Sequence, residues 1–358
     1  VKHTRLRSMT TLSKNVMQHR KVLKETGLAF AKSIPLVGPH IEAAEKMFTL
    51  FSEINATTCR DRFNRYIMGI GEICDDEVDI SREHFSALVK KLVLDDEDKK
   101  TEYYIRLTVS LARSSLNDDE KLFFIHILSG LTCFDIEYAR KLYITTSSPI
   151  KGYKSTVLAQ VSLTSQKSGM ALRSLNKLIT SGLVYEDRAG EIQANPMFKL
   201  TDELERLLGF IFHKDDLEPE ALSIEPKEEY DVIIIESSEI YSGAYPNSIY
   251  RSLKAAGIKV CIEKNEDCIT TKLAKYFISV KTGSGLNGEG EWIEFGQIYV
   301  LKRLDSSSKR FYENEHSETV SISNFKPKDN DQTYDASLLN IALNNIAAFV
   351  LNRLSPTT

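Results

Sequence analysis

The chain has 358 residues, 42% hydrophobic and 27% charged, with a formal net charge of −4. That length predicts two or three domains, and the composition excludes an intrinsically disordered chain. The negative balance argues against a protein coated in nucleic acid, although a local basic face remains compatible with it. No apolar run reaches membrane-spanning length, and the nearest, Gly27 to Ile41, is broken by Lys32, Pro35 and Pro39. Val1 to Lys24 is polar and basic without an apolar segment, so no secretory signal is expected, and Met9 is a candidate start. The five cysteines, Cys59, Cys74, Cys133, Cys261 and Cys268, form no CxxC pair. Such spacing predicts reduced thiols in a cytoplasmic protein rather than a disulfide framework or a zinc site, and no metal or cofactor fingerprint stands out.

Residues 9–145 read as helical almost throughout. Pro35, Gly38 and Pro39 break the first stretch, and a long helix is expected from Ile41, its stripe continuing through Phe63, Ile67 and Ile70. Ser81 is a helix start with His84 at the capping-box position. Helices over about Glu83–Leu94 and Glu97–Arg113 flank the acidic turn Asp95-Asp96-Glu97-Asp98, which complements a helix dipole and needs no metal. Asn117-Asp118-Asp119-Glu120 caps the next helix by the same logic. Leu122 to Leu128 is apolar on nearly every side, which predicts a central helix with His126 packed in the core.

Ile34-Pro35-Leu36-Val37-Gly38-Pro39 ahead of a long helix, the acidic turn before Lys99 to Ile105, and the Leu122–Leu128 helix together resemble a helical domain of bacterial and prophage proteins. The resemblance covers roughly residues 25–145. It implies a winged helix or variable module downstream and a bacterial accessory or phage-defence setting, with no catalytic residues carried over.

After the linker-like Ser147 to Gly152, Thr156 to Leu208 reads as a winged helix. Thr156 to Val161 is a first helix and Leu163 to Lys167 opens the next turn. Ala171 to Ile179 is the recognition helix, with Leu172, Leu175, Leu178 and Ile179 assigned to the core and Arg173, Asn176 and Lys177 facing elsewhere. Gly182 supplies a left-handed cap, Leu183-Val184-Tyr185 a strand, and Asp187 to Gly190 a hairpin tip. Arg173, Asn176 and Lys177 are therefore the candidate nucleic-acid contacts, with Arg188 at the wing. Against them, seven bases and six acids between Tyr153 and Phe212 leave only +1, and Glu186 and Asp187 border the wing. DNA and a protein partner both remain open for this module.

Lys214 to Glu229 carries seven acids, Pro219 and Pro226, and is expected to be an acidic linker. Asp231 to Ile235 then reads as a strand buried on both faces, Tyr245 to Ala256 as a helix ending at Gly257, and Ile258 to Ile262 as a second strand. Thr270 to Val280 is assigned to a second helix, completing a βαβα unit. Trp292 to Leu301 and Thr319 to Ile322 are expected strands. Ser337 to Leu354 is a closing amphipathic helix, with Leu338, Ile341, Ala342, Ile346, Phe349 and Val350 on one side.

In this α/β part, Tyr230 to Ile234 with Leu253 to Val260 resembles the first half of a TIR domain. The resemblance implies a Rossmann-like fold and, at the extreme, NAD cleavage; the family's later serine-rich switch is missing and no glutamate matches its catalytic one. A ligand would collect at the carboxyl ends of parallel strands, at Glu236, Ser237 and Ser242, and at the glycine-rich stretch containing Gly283 and Gly285. The expected architecture is thus multidomain: an all-α helical bundle (1–146), a winged helix-turn-helix (147–213), an acidic linker (214–229) and a small Rossmann-like α/β module (230–358). With no paired nucleophile and base, the chain reads as a non-catalytic accessory or sensor protein of an antiviral-defence or prophage system. The alternatives are an enzyme or nucleotide sensor at the strand edge, and a dimeric repressor, for which the closing helix would suit a homodimer.

Overall fold

The computed structural model describes residues 59–73, 80–187, 197–235, 244–286, 292–303, 312–322 and 336–354. It combines helices with two small sheets and divides into two compact units that do not follow chain order. One contains the chain up to Tyr143 and Thr164–Glu218; the other contains Ile144–Leu163 and Pro219–Thr358. Among the described residues, no single helix is long and apolar enough to cross a membrane.

In the first unit, the chain forms helices α1 (residues 59–73), α2 (Arg82–Leu94), α3 (Thr101–Arg113), α4 (Asp118–Gly130) and the start of α5 (Cys133–Ser147). The expected caps are present. The Ser81 hydroxyl accepts from the His84 amide, and Asn117 with Glu120 forms a complete capping box, which satisfies amides that a helix start leaves without partners. Tyr66, Ile70, Phe85, Leu88, Tyr104 and Leu107 fill the core. The part of the first expected helix before residue 59 lies outside the described residues.

A buried polar network runs through this core. Lys100, 2% exposed, pairs with Asp95, whose carboxylate also accepts from the Tyr104 hydroxyl at 3.0 Å. Arg62 donates to the carbonyls of Leu92 and Asp95, and at the exposed rim of this network Arg65 pairs with Asp98 at 2.6 Å. Thr108 donates to the Tyr104 carbonyl, leaving its oxygen to accept from the Tyr66 hydroxyl at 2.6 Å. The acidic turn is therefore an anchor for buried bases, a stronger role than dipole compensation, because an unpaired buried charge costs several kcal/mol, on the order of 3–5.

The α4 helix differs from expectation. Phe124, Ile125 and Leu128 are buried, whereas His126 is exposed and Phe123 is 37% exposed. The apolar sequence exceeds what this helix buries, and His126 is a surface residue.

The same unit continues with α7 (Gly169–Thr180), strands β1 (Val184–Asp187) and β2 (Met197–Leu200), and α8 (Asp202–Ile211). The strands pair antiparallel, Val184 opposite Leu200 and Asp187 opposite Met197. The α8 helix buries Leu204, Leu207, Leu208 and Ile211, and Phe210 meets Phe124 edge-on at 5.1 Å. Bundle and hairpin thus share one core.

In the second unit, β3 (Glu228–Ile235), β4 (Val260–Glu263), β5 (Lys272–Leu286), β6 (Trp292–Arg303) and β7 (Tyr312–Ile322) form a sheet of order β4-β3-β5-β6-β7. β3 is parallel to β4 and β5, and the remaining pairs are antiparallel. Val232 and Ile234 face one core, shared with Ile249 and Leu253 of α9 (Ala244–Ala255) and with Ile346 and Val350 of α10 (Ala336–Leu354). Ile233 and Ile235 face a second core with Phe277. Burial on both faces explains the continuous apolar run of β3.

Two expectations for this unit are corrected. Residues 272–280 are strand, not helix: Tyr276, Phe277, Ile278 and Ser279 are all buried, and a strand covered on both faces shows no period of two. On α10 the buried stripe is Ala342, Leu343, Ile346, Ala347 and Val350, while Ile341 is 57% exposed.

The stretches expected to be linkers are ordered parts of the fold. Ile150 bridges to Pro226, the Lys151 amide donates to the Glu225 carbonyl at 2.9 Å, and Gly152, at φ +91°, donates to the Thr270 carbonyl at 2.9 Å. Lys227, 6% exposed, places its ammonium against the carbonyls of Lys154 at 3.2 Å and Ile269 at 2.6 Å. Short 3-10 turns occupy Lys214–Leu217 and Pro219–Leu222.

Candidate nucleic-acid interface

The α7 helix is built to present one face. Ser168 caps its start, accepting from the Ala171 amide at 3.4 Å. Its end is a complete Schellman motif: Gly182 at φ +72° donates to the Ile179 carbonyl, and Leu183 donates to the Leu178 carbonyl, both at 3.0 Å. Leu183 is fully buried beneath that cap. Defined ends fix which residues point inward.

Ala171, Ser174, Leu175 and Leu178 are buried. The buried serine is held by Asp135 of α5, to which its hydroxyl donates. Asp135 is only 4% exposed and also accepts from the Thr132 amide at 2.9 Å, so one carboxylate caps α5 and pins α7. Burial works to raise its pKa, but the hydrogen bonds from Ser174 and Thr132, with the nearby Arg173 charge, hold it below the usual aspartate value. Sequence reasoning missed this residue, because nothing in a serine-bearing helix announces a carboxylate 39 residues earlier.

Filling that inward position with Ser174 rotates the buried face from the one expected. Leu172, assigned to the core by its spacing, is 57% exposed, and Met170 is 59% exposed. Outward lie Gly169, Arg173, Asn176 and Thr180, separated by four, three and four residues along the helix, which aligns them on one line. Met170 and Lys177 flank that line on one side and Leu172 on the other. Arg173, Asn176 and Lys177 are all exposed, and the Arg173 charge lies near the Asp135 carboxylate.

The structure also separates charges that a tally merges. From Ser155 to Ser181 the sequence holds Lys167, Arg173 and Lys177 and no acid. The acids of the hairpin and α8 lie after Val184, and the Lys199 ammonium sits 2.9 Å from the Asp187 carboxylate, compensating it.

One expected feature of this stretch differs. Helix α6 runs Thr156–Thr164 and is followed by a non-helical Gln166–Ser168, so no separate helical turn stands before α7. Most of α6 groups with the second unit.

Of the other predicted site residues, Gly283 and Gly285 are among the described residues. Arg188, Glu236, Ser237 and Ser242 lie outside the described residues. Gly283 and Gly285 are in β5, opposite Phe295 and Ile293 of β6, so they belong to a paired strand and not to a phosphate-cradling loop. Among the described residues, no three His, Cys, Asp or Glu side chains come together in a metal-binding group. Comparison with known proteins finds no matching family model, no matching curated sequence and no matching solved structure.

Proposed function

We propose that the chain binds duplex DNA through the outward face of α7, with the α7–β1–β2–α8 module acting as a winged-helix-type reader. The supporting observation is that Arg173, Asn176 and Lys177 are exposed on one helix, in a segment from Ser155 to Ser181 that contains no acid. Arginine and asparagine are the side chains that pair in bidentate fashion with guanine and adenine in the major groove, while lysine supplies a phosphate contact. The helix is rigidly backed by Asp135, so its reading edge is held in place before DNA arrives. The sheet-bearing unit serves on this reading as an accessory or sensor part, in the prophage-type setting implied by the helical resemblance.

The test is fluorescence anisotropy of a labelled duplex-DNA pool with the full chain at two salt concentrations, comparing wild type with Arg173→Ala/Lys177→Ala. Each lost phosphate contact lowers the slope of log affinity against log salt by about 0.9. The expected result is salt-sensitive binding that weakens, with a shallower slope, in the double variant. Absence of wild-type binding at low salt would sink the DNA reading and favour a protein partner on the same face.

A further inference from the structure

Met170 and Leu172 are exposed apolar side chains in the N-terminal half of the reading face. On a core-facing helix, leucine and methionine would be buried; here they are more than half exposed, at 59% and 57%. Ser174 occupies the inward position instead, so their exposure follows from how α7 is docked and not from a frayed end.

The two apolar groups flank the Gly169-Arg173-Asn176 line within the first turns of the helix. In helix-in-groove recognition, those first turns approach base edges most closely. A major groove lined by hydrogen-bonding atoms has one apolar feature, the 5-methyl group of thymine. The segment Ser155 to Ser181 carries Lys167, Arg173 and Lys177 and no acid, a balance that fits a polyanion such as duplex DNA.

We infer that Leu172, assisted by Met170, reads thymine 5-methyl groups beside the bases contacted by Arg173 and Asn176. The occupant of this face is therefore a thymine-containing duplex, and the apolar pair contributes sequence preference and not merely affinity. This rests on the DNA-binding reading above and extends it to base identity.

The experiment uses the full chain to enrich duplexes from a random-sequence library. The recovered duplex is then remade with uracil in place of each thymine in turn, which removes one methyl group and leaves base pairing unchanged. The expected result is about a four-fold loss of affinity at one or two positions, equivalent to about 0.8 kcal/mol for one buried methyl. Leu172→Ala is expected to lower affinity for the thymine duplex by a similar factor and to bind thymine and uracil duplexes equally. Circular dichroism of the variant checks that α7 remains folded, which its exposed position predicts.

Equal wild-type affinity for thymine and uracil duplexes overturns this inference while leaving DNA binding intact. Uracil discrimination that persists undiminished in both Leu172→Ala and Met170→Ala also overturns it, because the methyl is then read elsewhere. Failure to enrich any duplex, with no salt-sensitive binding to the starting pool, removes the DNA reading itself.

Discussion

At the scale of single residues, the most informative side chain outside α7 is Lys227. Burial, with a smaller contribution from the Arg303 charge, pushes its ammonium down to about 8. An unfolded lysine titrates near 10.4, so between roughly pH 8 and 10.4 the unfolded chain holds the extra proton. Folding stability then rises with pH through that window, by at most about 1.4 kcal/mol per pH unit for one proton. The thiols of Cys133, Cys261 and Cys268 act oppositely, since burial raises each to about 11 and the folded chain keeps their protons above roughly pH 8.5, where an unfolded thiol ionises. The Lys227 contribution is therefore isolated as the difference between wild type and a Lys227→Met variant, in which the thiols cancel. Urea unfolding between roughly pH 8 and 10 is expected to show wild-type stability rising relative to that of Lys227→Met. A flat difference between the two would mean that the ammonium is better solvated than its 6% exposure implies.

At the scale of elements, helix ends carried the clearest sequence signal. Ser81, Asn117-Glu120, Gly182 and Gly257 were all readable because capping depends on residues only a few positions apart. The Schellman motif at Gly182 makes this testable. A Cβ at Gly182 meets nothing within 4 Å, so Gly182→Ala tests backbone conformation alone. Holding alanine at φ +72° is expected to cost about 1–2 kcal/mol, seen as a lower thermal midpoint of unfolding with little change in the core. A neutral effect would show that α7 can end without the left-handed residue. What the sequence hid was orientation, which depends on distant partners. Leu172 matched the core spacing, but the carboxylate of Asp135 made Ser174 the inward residue. The candidate contacts Arg173, Asn176 and Lys177 were legible because a charged residue off the apolar stripe has one default direction. The β5 strand was misread for a related reason: with neighbours on both faces, its apolar residues lose the alternation that distinguishes strand from helix.

At the scale of the whole molecule, a cut placed by sequence composition alone would damage what it means to isolate. The acidic stretch before β3 invites a fragment beginning there, but the second unit is discontinuous and takes Ile144–Leu163 from the middle of the chain. That segment supplies the Pro149 carbonyl to the Lys227 amide at 3.0 Å, the Lys154 carbonyl to the Lys227 ammonium, and the Gly152 amide to Thr270. Each buried polar group left without its partner costs about 1–3 kcal/mol, and domains of this size have only about 5–15 kcal/mol of stability in total. Residues 219–358 alone are therefore expected to unfold at lower urea concentration than the same residues with 144–163 fused ahead of them through a flexible linker. The joined form is expected to protect the amides of Gly152, Lys227 and Glu228 from hydrogen exchange. Equal midpoints for the two fragments would show that the segment only rests on the sheet. A higher midpoint for the joined form would make it an integral part of that fold, so that tests of the sheet for ligand binding or activity require it to be present.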